Sequence, residues 1–331
     1  ITEVRATNFR TARDVTLELG PIAAFIGEPG TGKSNMLAAI GALLSGEHQV
    51  RPGDVRRGRS DASIEATLAD GTVVTIGQSD RLPGLVLIPA RLRASELILP
   101  PADHPDALRC VEIFRRHLDD APAPRIALVR ALEQCAVEIR GVVFVIEEPE
   151  LFLAPHGDRY LYRLFHRLTA AGNQVLYTTH SPRLLNVSRL EEIHLVSRDG
   201  DGVTDVEHLR PLDADDEFRA SCEFDAERSE LFFSRAAVLV EGMSEKQALP
   251  HVVRALGHDV DRAAISIIDC GGKGNLPLFI EICRRAHIPS VTVFDSDVRG
   301  HAQPSEELLR FNRRLRRAAG RGNYVEFNPD L

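Results

Sequence analysis

The sequence predicts an α/β protein of two domains, each built around a mainly parallel sheet, and three observations carry that expectation. Short apolar or β-branched runs alternate with helical stretches, as where Val142-Val143-Phe144-Val145-Ile146 precedes Leu161, Leu164, Phe165 and Leu168 at i, i+3, i+4 and i+7. That rhythm lapses in an acidic, weakly apolar stretch containing Asp213, Asp215, Asp216, Glu217, Glu223 and Asp225, and then resumes. At 331 residues the chain is long enough to bury two cores. The expected division is a first domain over residues 1–210, an acidic connector over 211–235 and a second domain over 236–331.

The elements follow in order. Residues 1–26 alternate and then run apolar into a strand at Ile22-Ala23-Ala24-Phe25-Ile26, followed by a glycine-rich turn and a helix from Ser34 to Leu44. Asp70-Gly71 is a hairpin signal between Ile64-Glu65-Ala66-Thr67-Leu68 and Val73-Val74-Thr75-Ile76. Prolines bracket a helix near 106–118. The apolar run at 142–146 reads as a buried parallel strand, and Val175-Leu176-Tyr177 as its neighbour after one helix. The second domain repeats the pattern: strand 237–240, helix 245–256, strand 264–268, helix 276–287, strand 290–294.

Composition narrows the classes. Hydrophobic residues make up 44% and charged residues 27%, as in soluble globular proteins. No apolar run approaches the ~18–20 residues that span a bilayer, so no membrane partner is expected. Ile1-Thr2-Glu3-Val4-Arg5 lacks a signal-peptide h-region. The five cysteines form no CxxC pair, which suits free thiols in a reducing, cytoplasmic setting. A net charge of −8 argues against a polybasic coat but leaves room for a local basic groove. Of 40 basic residues only Lys33, Lys246 and Lys273 are lysines, and all three lie in or beside the motifs below. Where an arginine-rich chain keeps lysine, a compact ammonium is required rather than a planar fork.

Gly27-Glu28-Pro29-Gly30-Thr31-Gly32-Lys33-Ser34 satisfies G-x-x-x-x-G-K-[ST] between a buried strand and a helix. Its glycines let backbone N–H groups wrap phosphates, and the helix N-terminus adds partial positive charge. Lys33 would reach the β- and γ-phosphates of ATP, and the Ser34 hydroxyl would bind Mg²⁺. After the buried strand, Glu147 would hold the Mg²⁺ shell and Glu148 would position the attacking water, against the alternative of a solvated acidic turn. Tyr177-Thr178-Thr179-His180-Ser181-Pro182 places His180 on the same sheet edge, 32 residues after Glu148, where it could sense the γ-phosphate.

Thr7-Asn8-Phe9-Arg10 before the loop and Lys33-Ser34-Asn35 within it resemble the RecF and SMC branch of ABC-type ATPases. Ile146-Glu147-Glu148-Pro149-Glu150, Gly172-Asn173-Gln174-Val175 and Thr178-Thr179-His180-Ser181-Pro182 resemble more specifically the OLD (overcoming lysogenization defect) family of nucleases. The resemblance implies composite ATP sites shared by two subunits, hence a homodimer or higher homo-oligomer. Two departures stand out. Ala123-Pro124-Arg125-Ile126-Ala127 occupies the place of the Ser-Gly-Gly-type signature, and Pro89-Ala90-Arg91 stands where a glutamine would follow the strand at 85–88. ATP binding is therefore expected before brisk hydrolysis.

In the second domain Glu241-Gly242 follows a buried strand, and Ser244 with Gln247 reads as a capping box that puts Glu245 in a first helical turn. Asp295-Ser296-Asp297 ends another strand; along a continuing strand its two carboxylates project to one side. Carboxylates gathered without matching cations favour a hard ion, Mg²⁺ or Mn²⁺, over the bland alternative of a surface acidic cluster. Glu241-Gly242-x-x-Glu245, Gly271-Gly272-Lys273-Gly274-Asn275 and Asp295-x-Asp297 resemble the Toprim domain in its OLD version. That implies two-metal phosphodiester hydrolysis, with Glu241, Asp295 and Asp297 on one metal and Glu245 helping to hold the second. Lys273 could contact the scissile phosphate, or serve only as the cation of a glycine loop. The role of Asp269 at a nearby strand end stays open. The resemblance also implies a further acidic residue and a lysine beyond Tyr324-Val325-Glu326-Phe327-Asn328-Pro329-Asp330-Leu331.

Arg310, Arg313, Arg314, Arg316, Arg317 and Arg321 concentrate positive charge that suits DNA phosphates, or a solvated helix balanced by Glu306 and Glu307. The leading expectation is an ATP-binding, metal-dependent DNA endonuclease or nickase of the OLD type, serving phage or plasmid defence by family analogy. The alternatives are a RecF-like DNA-binding ATPase without nuclease activity and a Toprim topoisomerase or primase. The sequence is compatible with an additional partner protein.

Overall fold

A computed structural model describes residues 1–44, 50–77, 84–90, 104–118, 121, 124–151, 153–297 and 305–327. Arg91, Ala123 and Asn328-Pro329-Asp330-Leu331, named above, lie outside the described residues. The chain divides into two compact units, Ile1–Leu185 with Leu190–Leu209, and Asn186–Arg189 with Arg210–Leu331.

The first unit begins with β1 (Glu3–Thr7), β2 (Asp14–Glu18), β3 (Ile22–Ile26) and α1 (Lys33–Leu44), then β4 (Ser63–Thr67), β5 (Val73–Thr75) and β6 (Gly84–Ile88). It continues through α2 (Pro105–Leu118), α3 (Pro124–Glu138), β7 (Val142–Glu147), α4 (Pro155–Ala170), β8 (Gln174–Thr178), β9 (Ile193–Arg198) and β10 (Thr204–His208). An antiparallel sheet runs β2-β1-β4-β5, and a six-stranded sheet runs β10-β9-β3-β8-β7-β6. Every pairing in the larger sheet is parallel except β10 with β9.

Local chemistry explains the pieces. Asp70-Gly71 turns the β4–β5 hairpin because Gly71 takes φ +82° and the Asp70 carboxylate accepts from the Thr72 N–H at 2.9 Å. Strands β3 and β8 are buried throughout, as strands of a covered parallel sheet are, β3 as an unbroken apolar run and β8 with Gln174 and Thr178 at its ends. Helix α1 packs Met36, Leu37, Ile40 and Leu43 into one core with Phe25, Val143, Val145 and Leu176. Each such side chain contributes roughly 1.5–3 kcal/mol by leaving water. The P-loop strand and the acidic strand are therefore held by one core, with β8 between them.

The second unit contains α5 (Ala214–Glu223), β11 (Ala236–Val240), α6 (Met243–Ala255), β12 (Ile265–Asp269), α7 (Leu276–Arg285), β13 (Ser290–Asp295), α8 (Glu306–Ala319) and β14 (Tyr324–Phe327). Its sheet runs β12-β11-β13-β14 with all pairings parallel. Helix α7 buries Leu278, Phe279 and Ile282, and Phe279 stacks on Phe224 with centroids 4.5 Å apart. Parallel strands put every strand C-terminus, and thus Glu241 and Asp295, on one edge.

Two local expectations need correction, and the acidic stretch gains detail. Ser244 does not cap α6: the helix starts at Met243 with Gly242 as N-cap and no side-chain cap bond, although Glu245 still falls in the first turn. Strand β13 stops at Asp295, and Asp297 adopts φ +54°, so Asp295 and Asp297 are not successive same-face positions of one strand. The acidic stretch at 211–235 is folded, with Asp213 capping α5 through the Asp216 N–H and a 3-10 turn over Arg228–Phe233.

Candidate functional site

The phosphate loop leaves β3 at Gly27, whose φ of +148° and surroundings both require glycine: a Cβ there would meet the Val196 carbonyl oxygen at 2.1 Å. At Gly32, φ +113°, a Cβ would lie 2.3 Å from Thr204 Oγ1. Gly30, φ +80°, faces open space. Thr31 Oγ1 donates to the Glu28 carbonyl at 2.9 Å, and Thr204 Oγ1 donates to the Thr31 carbonyl at 2.7 Å. Lys33 Nζ curls over the loop and donates to the carbonyls of Gly27 and Glu28 at 2.8 and 3.0 Å. Ser34 is exposed in the first turn of α1. Asn35 instead braces the loop: its amide donates to Thr11 Oγ1 at 2.7 Å and accepts from Arg10 Nη1 at 3.2 Å.

The acidic motif reaches this loop electrostatically. Glu147 ends β7 opposite Thr178 of β8. The next residue, Glu148, adopts φ +42°, and its N–H donates to the Thr178 carbonyl at 3.1 Å. His180 Nε2 lies 3.7 Å from Glu148 Oε1. Burial draws the His180 pKa down, Lys33 draws it down further, and Glu148 opposes both. Burial likewise lowers the Lys33 ammonium against the pull of Glu148. Glu150 is the support behind this trio, accepting from Thr179 Oγ1 and the His180 N–H, both at 2.8 Å; burial pushes its carboxyl up. The structure thus brings together Lys33, Glu148 and His180, which the sequence separates widely.

Two features of the head escaped sequence reasoning. Arg125, in the first turn of α3 where a signature would lie, is buried and donates to the Ala90 carbonyl, so the two departures from the ABC pattern touch each other. Its guanidinium is lowered by burial and held up by Glu150 and Glu148. The second feature is a cavity of ≈ 530 Å³ whose lining includes Arg10, Thr11, Arg56, Arg57, Arg198 and Asp201. Arg198 Nη1 reaches the Gly30 carbonyl at 3.4 Å, which joins this basic wall to the phosphate loop. The Arg56-Arg57 pair was visible in sequence, but only the fold puts it beside the loop. An open glycine turn, a lysine over it and a wall of guanidiniums fit an anionic nucleotide.

In the second unit the loop after β12 needs its glycines too. Gly271 takes φ +71°, and a Cβ would press Arg228 Nη2 at 2.9 Å and Glu223 Oε2 at 3.0 Å; Gly272 takes φ +125°. The Gly272 N–H donates to the Glu241 carbonyl at 2.6 Å, pinning the loop across β11. From there Lys273 spans to the end of β13, where Nζ donates to Asp297 Oδ2 at 2.7 Å and to the Asp295 carbonyl, with the ring of Phe294 at 5.4 Å. Glu241 Oε1 accepts from the Asp295 N–H at 2.7 Å. Burial raises the Glu241 carboxyl most, Asp297 and Asp295 add to the rise, and Lys273 opposes it. Asp269 serves its own turn, accepting from the Gly271 N–H at 2.8 Å. Of the arginines in and after α8, Arg316 pairs with Glu326 and Arg310 with Glu306; Arg313, Arg314, Arg317 and Arg321 are exposed.

Among the described residues no three acidic, histidine or cysteine side chains stand close enough to cage an ion as folded. The chemistry of the set nevertheless fits a hard cation. Its donors are carboxylate oxygens that repel one another, and the ammonium of Lys273 already stands in as the cation between Asp297 and the Asp295 carbonyl.

Comparison with known proteins agrees with both halves. A family model described as "Overcoming lysogenization defect protein-like, TOPRIM domain" matches residues 232–297, and one described as "AAA domain, putative AbiEii toxin, Type IV TA system" matches residues 127–186. The OLD nuclease of Thermus scotoductus is 31% identical over 225 residues, covering 62% of this chain and 42% of that protein. The Old nuclease of Escherichia phage P2 is 28% identical over 163 residues, covering 47% of this chain and 28% of that one. The chain spans less than half the length of these two curated relatives. Among solved structures, the SMC head domain from Thermotoga maritima aligns with 63% of this chain and 98% of its own at 12% identity and a TM-score of 0.40, too loose an overlap to bear on the fold. With a phosphate-loop head and a Toprim unit in one chain, the protein is an α/β ATPase-plus-Toprim protein that resembles the OLD nucleases.

Proposed function

We propose that this chain is an ATP-binding, metal-dependent DNA endonuclease or nickase of the OLD type, in which the head governs and the Toprim unit cuts. The observation that carries this reading is that Glu241 and Asp295 stand at the C-terminal ends of neighbouring parallel strands, the Glu241 carboxylate accepting from the Asp295 N–H, with Asp295 and Asp297 both acting on its charge.

In the head, backbone N–H groups of Gly30 to Ser34 and the Lys33 ammonium would hold the β- and γ-phosphates, Gly27 and Thr31 shaping the loop and Asn35 bracing it. Ser34 and Glu147 would hold Mg²⁺ beside them. Glu148 would orient a water and receive its proton, and His180, whose pKa is lowered by burial and by Lys33, would report on the γ-phosphate. With Arg125 and Ala90 in place of the usual signature and glutamine, slow turnover is the expectation.

In the Toprim unit, Glu241, Asp295 and Asp297 would hold one divalent cation and Glu245 would help to hold a second. Bound there, a pair of Mg²⁺ or Mn²⁺ ions supplies an activated water and neutralises the leaving oxygen. Lys273 reaches the same edge and would meet the scissile phosphate. The exposed arginines of α8 supply sequence-independent contacts to DNA phosphates. A homodimer that completes the ATP sites, a cytoplasmic setting and a role in defence against phage or plasmids extend the reading by family likeness.

A second reading, a DNA-binding ATPase that does not cut, is favoured by the absence of a closed carboxylate cage among the described residues. Supercoiled plasmid with Mg²⁺ or Mn²⁺ separates the two. Nicking by the wild-type protein should fall on the order of 10³-fold in Asp295→Ala/Asp297→Ala, several kcal/mol of charge stabilisation at the transition state. Absence of nicking by the wild type would favour the binding module.

A further inference from the structure

The carboxylate edge of the Toprim unit contains its own cation. Lys273 arises beyond β12 at the far end of the sheet, yet its ammonium crosses β11 and ends between Asp297 Oδ2 and the Asp295 carbonyl. The stem is nearly covered, with its side chain 12% exposed beside Phe294, whereas the Asp297 carboxylate is 52% exposed. The ion therefore reaches Asp297 from the protein side and leaves the solvent side open. We propose that Lys273 is an internal counter-ion, occupying the position of a divalent cation and yielding it when one binds. The inference rests on the metal-dependent reading above and deepens it by adding regulation of the same site.

Three features make the exchange workable. The loop carrying Lys273 is flanked by Gly271 and Gly272 at φ +71° and +125° and by Gly274, so the ammonium can swing while Glu241 stays fixed on the Asp295 N–H. Asp297 sits past the strand end at φ +54°, outside the β13 ladder, so its carboxylate can reorient without breaking sheet hydrogen bonds. Finally, one positive charge facing Glu241, Asp295 and Asp297 leaves the set net negative, so a doubly charged ion is the better occupant. A displaced ammonium would remain at the edge, free to meet a phosphate. This also gives a reason for lysine in a chain that otherwise writes arginine: a compact ammonium can imitate a bare cation and a planar guanidinium cannot.

The test is Mn²⁺ binding by the full chain without nucleotide, read by calorimetry and by the electron paramagnetic resonance signal of free Mn²⁺. Asp297→Asn identifies the binding that belongs to this edge. Lys273→Met and, as an independent polar replacement, Lys273→Gln should each bind Mn²⁺ on the order of 10- to 100-fold more tightly than wild type, the scale of one unit charge removed nearby. Both should also melt lower than wild type without metal and gain more from Mn²⁺. Equal or weaker affinity in both variants, with Asp297-dependent binding in the wild type, would overturn the counter-ion and leave the metal reading standing. No Asp297-dependent binding in any of the three proteins would overturn both.

Discussion

The two candidate sites solve the same problem differently. Each places a non-glycine carboxylate in left-handed backbone just past a parallel strand, Glu148 at φ +42° and Asp297 at φ +54°, a conformation that costs about 1–3 kcal/mol and persists where the surroundings enforce it. Around Glu148 the enforcement is by neutral hydrogen bonds: its N–H donates to the Thr178 carbonyl and Thr178 Oγ1, and its carbonyl accepts from the Leu151 N–H. Around Asp297 it is by one ammonium. The head is thus built to receive an anion in a loop that is already shaped. The Toprim edge is built as a closed ion pair, ready to exchange one cation for another. A hydrogen-bonded frame fixes geometry regardless of ligand, whereas an ion-paired frame makes geometry conditional on which cation is present.

The sharpest challenge to this comparison is Glu148→Gln. If the head's geometry is independent of that charge, ATP binding should survive while turnover falls by about 10²–10⁴-fold, the usual worth of a positioned general base. Radiolabelled ATP binding and phosphate release measured on the same protein check it. Turnover at the wild-type rate would remove Glu148 from the mechanism, and lost binding would show that the loop is not preformed.

A smaller effect separates the units by pH. His194 of β9 is buried, stacked on His208 at 4.5 Å, and donates from Nε2 to the Glu18 carbonyl at 2.7 Å. Burial lowers its pKa to about 4, with His208 acting the same way and Glu18 opposing. Unfolded, a histidine titrates near 6.5, so between pH 6.5 and about 4 the unfolded chain binds a proton that the folded head refuses. Stability should therefore fall as pH drops through that window, by on the order of 3 kcal/mol. The difference in chemical denaturation between wild type and His194→Phe, followed from pH 7 to 4, isolates this contribution. A difference that does not change with pH would contradict it.

Much of the head was legible because its information is local. The phosphate loop and its flanking strand and helix announce themselves in eighteen consecutive residues, Ile22 to Ala39, and the Asp70-Gly71 hairpin in two. What stayed hidden depends on distant partners. Helix α3 lacks a clean apolar stripe around Arg125, whose burial makes sense only with the Ala90 carbonyl and the Glu148–Glu150 charges beside it. The basic cavity draws on Arg10, Arg56 and Arg198, which only the order β9-β3 and the bridge from Phe9 to Val55 bring together. In the Toprim unit the acidic residues were legible, but the register was not. A strand assumed to run through Asp297 gives the wrong face, because the turn at Asp297 is set by the loop rather than by alternation. The cap misassigned to Ser244 fails similarly, since the N-cap is Gly242, two residues earlier, and the helix already starts at Met243.

The central claim is that bond cleavage belongs to the Toprim edge and control to the head. Nicking of one supercoiled plasmid by Lys33→Ala and by Asp297→Asn, side by side in Mn²⁺, tests it most directly. Lys33→Ala should still nick and Asp297→Asn should not. Nicking that survives in Asp297→Asn, or that disappears in Lys33→Ala while the protein remains folded, would contradict it.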